Sequence, residues 1–464
     1  MKSTSAAALT LCLVFLLWAV PCFSQSQLVP LLSLPLSPDA VSPEGESFQL
    51  TLHGTGFTTS SVVRWNAITL PTHFVSHDVL QAHVPGALVN SRGTASVTVL
   101  NPFGGRSNVT LFTVHDVSDN FDSTRADIPT NLNPQEPTLV DLNHDSKLDL
   151  VVAETGTDTI AVAMGHGDGT FATPIRFATD SMPQVAIAAD FNADGKTDLA
   201  VPCYGSSTIL VFFGNGDGTF QEPVRYPTGI APTYGLAVDL NRDGYLDLVT
   251  VNQGTGTISV LLGSARGRFG SSTDFSVGLN PTWADVGDFN GDGKIDIAIS
   301  NFDSNSLSVL LGNGDGTFQS QFTYPLPSGP GSVFASDLNG DGKLDLVIAN
   351  QLANNVSVML GNGDGTFGLR TDYPVSNMAN RAITADLRQR NKQDIAVATL
   401  TSVDVLSGNG DGTFGNFTST PVGACAFAIA AGDLNRDGRI DLVTAGNCEN
   451  TVSVLIAKQI GGDH

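Results

Sequence analysis

Between residues 121 and 456 the apolar positions fall in short blocks, not at helical spacing. Ile295-Asp296-Ile297-Ala298-Ile299-Ser300 is rich in β-branched residues, and Leu307-Ser308-Val309-Leu310-Leu311 follows it across the polar stretch Asn301 to Ser306. Apolar runs of this length bounded by turn residues predict short strands. A strand from Trp283 to Asp288 is expected before them. A fourth, Thr317 to Tyr324, is expected after the turn Gly312-Asn313-Gly314-Asp315-Gly316, where glycine takes positive φ without strain. Residues 27–115 alternate instead: Phe48 to Leu52, Ser61 to Trp65, Leu80 to Val84 and Ala95 to Val99, with turns expected at His53 to Phe57 and Asn101 to Gly105. Short alternating strands in fewer than 100 residues predict a β-sandwich.

The blocks recur. Asp288-Phe289-Asn290-Gly291-Asp292-Gly293-Lys294-Ile295-Asp296 has counterparts starting at Asp141, Asp190, Asp239, Asp337, Asp386 and Asp433, at five intervals of 49 residues and one of 47. GHGDGTF ends at Phe171, GNGDGTF at Phe220, Phe318, Phe367 and Phe414, and a worn copy at Phe269. A fixed period of this size marks stacked or radial repeats. Seven repeats of four strands predict a seven-bladed β-propeller. The last repeat lacks a fourth strand, whereas Phe121 to Ile128 stands where a fourth strand belongs with no repeat before it. That segment is expected to complete the seventh blade and close the ring.

Oxygen side chains at alternate positions suit a hard cation, which takes six to eight oxygen ligands, and the glycine at position six permits the sharp turn. An EF-hand is excluded, because position 12 of the fourth loop is Ile299 inside a strand-forming run, not Glu between helices. At these residues the chain resembles the FG-GAP/VCBS repeat family, which includes integrin α-subunit propellers. The resemblance covers residues 121–456 and implies that each loop joins the first two strands of a blade and binds calcium. Carried over by position, the ligands are Asp141, Asn143, Asp145, Lys147 and Asp149; Asp190, Asn192, Asp194, Lys196 and Asp198; and Asp239, Asn241, Asp243, Tyr245 and Asp247. They continue with Asp288, Asn290, Asp292, Lys294 and Asp296; Asp337, Asn339, Asp341, Lys343 and Asp345; and Asp433, Asn435, Asp437, Arg439 and Asp441, the seventh residue of each loop acting through its carbonyl. About six structural Ca²⁺ ions are implied. Ser146 replaces the usual glycine in the first loop, leaving its geometry open. The sixth loop places Arg388 and Arg390 at ligand positions, so a guanidinium pairing with Asp386 and Asp394 is expected there in place of metal.

The segment LTLHGTGF…SVVRWNA…VPGALV…GTASVTVLNPFGG resembles the IPT/TIG family of immunoglobulin-like domains, which implies a binding or spacer module. The expected architecture is all-β: an immunoglobulin-like sandwich over 27–115, then a propeller with calcium loops over 119–464.

Composition sharpens this picture. The formal charge of −23 argues against nucleic acid, and the six intact loops alone hold 18 of the 45 acidic residues. Lys2 followed by the apolar run Ala6 to Val20 reads as a signal peptide over 1–24, too short to span a bilayer. A secreted or extracytoplasmic protein follows. Cys425 and Cys448 flank the seventh loop almost symmetrically; a disulfide or two free thiols both fit the sequence.

The expected function is an adhesion or binding module with a glycan or extracellular protein as ligand. A polysaccharide lyase or hydrolase and a purely structural envelope scaffold are the alternatives. No Ser-His-Asp grouping or HExxH motif is present. The ligand face should lie opposite the calcium loops, where Glu136, Val185, Tyr234, Trp283, Ser332, Arg381 and Ala428 begin the inner strands and differ between repeats. Tyr234 and Trp283 are candidate flat platforms for a sugar, with Arg381 a polar anchor; the alternative is that both rings plug the central channel.

Overall fold

The structure, a computed structural model, describes residues 28–38, 40–43, 45–66, 68–102, 105–114 and 121–458. The expected signal peptide, the linker 115–120 and the residues after 458 lie outside the described residues.

The first unit is a sandwich of two sheets. One orders Leu31–Ser37, Phe48–Thr55, Val79–Val84 and Thr72–Phe74; the other orders Ala40–Val41, Thr110–Val114, Gly93–Leu100, Val62–Trp65 and Ile68–Thr69. Leu50, Leu52, Val63, Leu80, Val97 and Phe112 fill the space between the sheets. The strand expected to stop at Leu52 runs on to Thr55 through residues read as a turn. Gly54 is there for close approach: a Cβ would lie 2.0 Å from the Leu31 carbonyl oxygen of the paired strand.

Among the described residues the second unit forms seven four-stranded antiparallel sheets, set in a ring. The fourth is Pro281–Gly287, Asp296–Asn301, Ser306–Leu310 and Phe322–Pro325. Burial follows the order of strands. The second strand is buried at all six residues, while the fourth is mostly exposed. That is why the second strands read as continuous apolar runs: neighbouring sheets cover both of their faces. The cores lie between successive sheets. Phe289, Ala298 and Leu307 of one sheet pack against Leu346, Ile348 and Met359 of the next. Leu150 and Val152 of the first sheet pack against Val443, Val452 and Val454 of the last. Each inner strand touches the next, and the first, Pro134–Val140, meets the last, Ala426–Gly432. The arrangement is consistent with a β-propeller.

Closure uses the segment ahead of the first repeat. Ser123–Pro129 pairs antiparallel with Thr451–Ala457 over seven residues and forms the outer strand of the last sheet. In the fourth sheet the outer strand is shorter than expected. Phe318 belongs to the turn instead, bridging back to Gly312, and its ring meets Phe275 of the preceding sheet edge-on at 5.1 Å. Burying the ring between sheets takes precedence over extending the ladder. Cys425 and Cys448 form a disulfide, with Cα atoms 5.5 Å apart. Among the described residues, no helix is long and apolar enough to cross a membrane.

A chain beginning at Asn131 lacks the closing strand and exposes the Thr451–Ala457 edge, an open template for pairing. One beginning at His115 keeps it. The shorter chain is expected to aggregate and melt lower; identical light scattering and melting for the two chains would refute the closing role.

Candidate functional site

Each nonapeptide forms the tight loop between the first and second strands of a sheet. In the fourth, Asp288 Oδ1 accepts from the amides of Gly291 and Asp292, and Oδ2 from Gly293. Asn290 Oδ1 accepts from Asp292 N–H, and Asp292 Oδ1 from Lys294 N–H. Gly293 stands at φ +77° to make the turn. Ser146 of the first loop adopts φ +65° and donates its amide to Asp141 Oδ2 just as the glycine does. The loop geometry therefore survives the substitution despite strain at a non-glycine residue.

The ninth residue lies beneath the loop. Asp296 is fully buried; its Oδ2 accepts from Phe289 N–H at 2.9 Å and its Oδ1 from Gly312 N–H at 2.8 Å. Gly312 must be glycine, since a Cβ would lie 2.1 Å from the Ile295 carbonyl oxygen. Burial, together with Asp288 and Asp292 nearby, pushes the Asp296 carboxyl up to about 7, and Asp198, Asp247 and Asp441 behave alike. Among the described residues, no three or more His, Cys, Asp or Glu side chains converge into a metal-holding group. The loop acids are tied to loop amides instead. The donor set is nonetheless all oxygen and crowded with negative charge, which suits a hard cation.

The sixth loop carries its own cation. The Arg388 guanidinium pairs with the buried Asp394 through Nη2 and through Nε at 3.0 Å, and it bonds the Ser407 hydroxyl. Asp386, expected to share this pairing, accepts from the amides of Arg390 and Asn391. The acids of the GDGTF turns are turn residues: Asp315 Oδ1 accepts from both the amide and the hydroxyl of Thr317.

The sandwich sits on this loop face. Val29 N–H donates to Asp239 Oδ2 at 3.0 Å, the Thr94 hydroxyl to Asp433 Oδ2 at 2.9 Å, and Asp337 N–H to the Leu34 carbonyl at 3.1 Å.

The opposite face holds a cavity of about 630 Å³ at the mouth of the central channel. Glu136, Val185, Trp283, Arg381 and Ala428 line it, as expected for residues that begin the inner strands. Tyr234 and Ser332 do not line it. Tyr234 stacks behind Trp283 with centroids 3.5 Å apart, and the Arg381 guanidinium lies over the Trp283 ring at 4.3 Å. Both faces of Trp283 are thus covered, and the flat platform expected for a sugar is closed; only the ring edge reaches the cavity. Arg381 also donates to the Gly331 carbonyl at 2.6 Å, and its Nε stands 3.8 Å from Glu136. Burial pushes the Glu136 carboxyl up to about 8, against the opposing pull of Arg381.

Reading the repeats missed the residues that dominate this cavity. Each of the seven sheets contributes a carboxamide. Asn133 and Asn280 lie eight residues before the loop's first Asp, Gln135, Gln184 and Asn380 six before it, and Gln253, Gln351 and Asn447 fourteen after it. The signal is spread over three registers, so no single column of the repeat shows it. Asn280 Oδ1, Asn447 Oδ1 and Arg381 Nε are buried without a hydrogen-bond partner. An unpaired buried polar atom costs about 1–3 kcal/mol.

The model described as FG-GAP-like repeat matches residues 141–201, 190–250, 239–299, 288–348, 337–397 and 386–444, and that described as IPT/TIG domain matches residues 34–114. The chain belongs to the FG-GAP-like repeat family and carries an IPT/TIG domain ahead of the repeats. Curated proteins yield no match. Among solved structures, BBS1N, crystallised in complex with ARL6DN and soaked with lead, is 14% identical, with 74% of this chain and 98% of that one covered and a TM-score of 0.52. That likeness is one of fold alone. An Agrocybe aegerita lectin, described as specifically recognising non-reducing terminal N-acetylglucosamine, is 19% identical over 77% of this chain and 96% of its own, with a TM-score of 0.45. An auxiliary nutrient binding protein from Bacteroides ovatus is 12% identical over 92% and 98%, at 0.42.

Two outcomes are expected. Arg388→Ala leaves the buried Asp394 with only the more distant guanidinium of Arg390, 3.8 Å away, and should destabilise the ring by up to about 3–5 kcal/mol, equally with calcium or chelator; a loss that appears only in chelator would contradict this. Glu136 holds a proton in the folded state that the unfolded chain, with an ordinary value near ~4.3, releases. Its stabilising contribution is therefore full at low pH and lost as pH rises through about 8. At fixed calcium, Glu136→Gln should gain about 2–4 °C in Tm on the parent between pH 5 and pH 9. A pH-independent difference would refute it.

Proposed function

We propose that this protein is a secreted, extracellular binding or adhesion module: a seven-bladed propeller whose calcium loops are structural, with ligand recognition on the face away from them. The observation that carries this reading is the division of the two faces. The sandwich is bonded to the loop face at Asp239, Asp337 and Asp433. The opposite face keeps an open cavity built from residues of all seven sheets. A site assembled from every repeat, at positions that differ between repeats, suits specific recognition.

Calcium fits the six intact loops. The side chains at positions one, three, five and nine and the carbonyl at position seven would hold the ion, neutralising carboxylates that burial and mutual repulsion now disfavour. The sixth repeat supports the reading from within, because the loop that lost its oxygen ligands places a guanidinium on the equivalent carboxylate. The ion's contribution is local charge neutralisation and stiffening of each first turn. Export agrees with the leader-like start of the sequence and with the pairing of Cys425 and Cys448.

At affinities of about 10⁻⁴–10⁻³ M, 1 mM Ca²⁺ would stabilise the ring by about 0.4–1.4 kcal/mol per site. Melting should fall by many degrees in chelator and recover on adding Ca²⁺; an unchanged melt after metal loss confirmed by elemental analysis would refute structural calcium. Screening extracellular glycans and matrix proteins by biolayer interferometry tests recognition. A specific, saturable ligand is expected, and its absence across both classes would overturn the binding reading.

A further inference from the structure

We infer that the cavity at the channel mouth is a binding site for the end of a neutral saccharide chain, held by the ring of carboxamides. The inference rests on the binding-module reading and deepens it. A carboxamide offers a donor and an acceptor side by side without charge, which matches hydroxyl groups that must donate and accept at once. Asn280 Oδ1 and Asn447 Oδ1 are buried acceptors with no partner, and Arg381 Nε is a buried donor with none. All three side chains line this cavity. Those three atoms are themselves shielded from a probe the size of water, so recognition falls to the carboxamide groups of the lining that face the cavity.

Charge selects against the alternatives. Glu136 and Arg381 oppose each other across 3.8 Å, and the rest of the lining is uncharged. The one guanidinium is already engaged by the Gly331 carbonyl and the face of Trp283, so the site has no free cation to hold a phosphate or a sulfate and no free anion to hold an ammonium group. At about 630 Å³ the cavity falls in the range of about 300–1,000 Å³ usual for small-ligand pockets. Trp283 presents an edge and not a face, so hydrogen bonds rather than ring stacking carry recognition, with Phe302 and Phe427 as apolar walls. A protein loop fits less well. Of the exposed aliphatics at this end, Leu132, Ile230 and Leu352 brace hairpins of their own sheets, lying where a Cβ on Gly156, Gly254 or Gly329 would stand.

The test uses the full calcium-loaded chain against neutral gluco-, manno- and galacto-oligosaccharides, their sulfated or uronic counterparts, and a peptide library, by calorimetry. Binding of a neutral oligosaccharide is expected. Asn280→Gly, which respects the φ of +53° at that position, and Asn447→Ala should each weaken it roughly tenfold without lowering Tm. Binding that both variants leave intact would overturn the site. Binding of only acidic saccharides or only peptides would overturn the ligand class while the binding-module reading stands. No binding by any probe would overturn both.

Discussion

One buried carboxylate per repeat holds the ring in shape. Asp149, Asp198, Asp247, Asp296, Asp345, Asp394 and Asp441 are all fully buried. In six of the seven sheets one oxygen accepts the amide seven residues upstream and the other an amide sixteen residues downstream, at 2.7–3.0 Å. The first turn and the end of the third strand are thereby fastened to one side chain. A buried carboxylate is costly unless fully hydrogen-bonded and neutralised. That constraint links the loop oxygens above it, the glycine that lets the downstream amide approach, and the guanidinium of the sixth repeat. Each supplies part of what the carboxylate requires.

The same constraint separates the two faces. Where the first turns gather, identical demands produce nearly identical loops, and the surface becomes a repeated acidic frame. The sandwich uses that frame as its seat, reaching Asp239 and Asp433 with single hydrogen bonds. At the other end of the inner strands no shared carboxylate imposes a residue. Glutamine, asparagine, arginine, tryptophan and glutamate enter at corresponding heights, and the cavity takes its character from those differences.

Both units were legible in the sequence because their signals are local or periodic. Alternation over Phe48 to Leu52 marks a sandwich strand, and the 49-residue interval marks the ring. The segment ahead of the first repeat was identifiable as the closing strand by its offset alone. Misreadings arose where one residue type serves two purposes. Gly54 permits close strand approach where a turn was expected, and Phe318 fills space between sheets where a ladder was expected.

The sequence by itself determined the repeat, the strand order within it, the oxygen-rich loops and the exceptional sixth loop, since each depends on residues close along the chain. Only the tertiary structure decided what meets across the channel. Tyr234, Trp283 and Arg381 begin inner strands of different sheets, and nothing in their spacing shows that they stack and close off both faces of the indole. Nor does spacing reveal the eight carboxamides, which arrive from three registers of the repeat. Ring closure brings residues more than 300 positions apart into one cavity, and the angle at which each side chain enters depends on packing between neighbouring sheets.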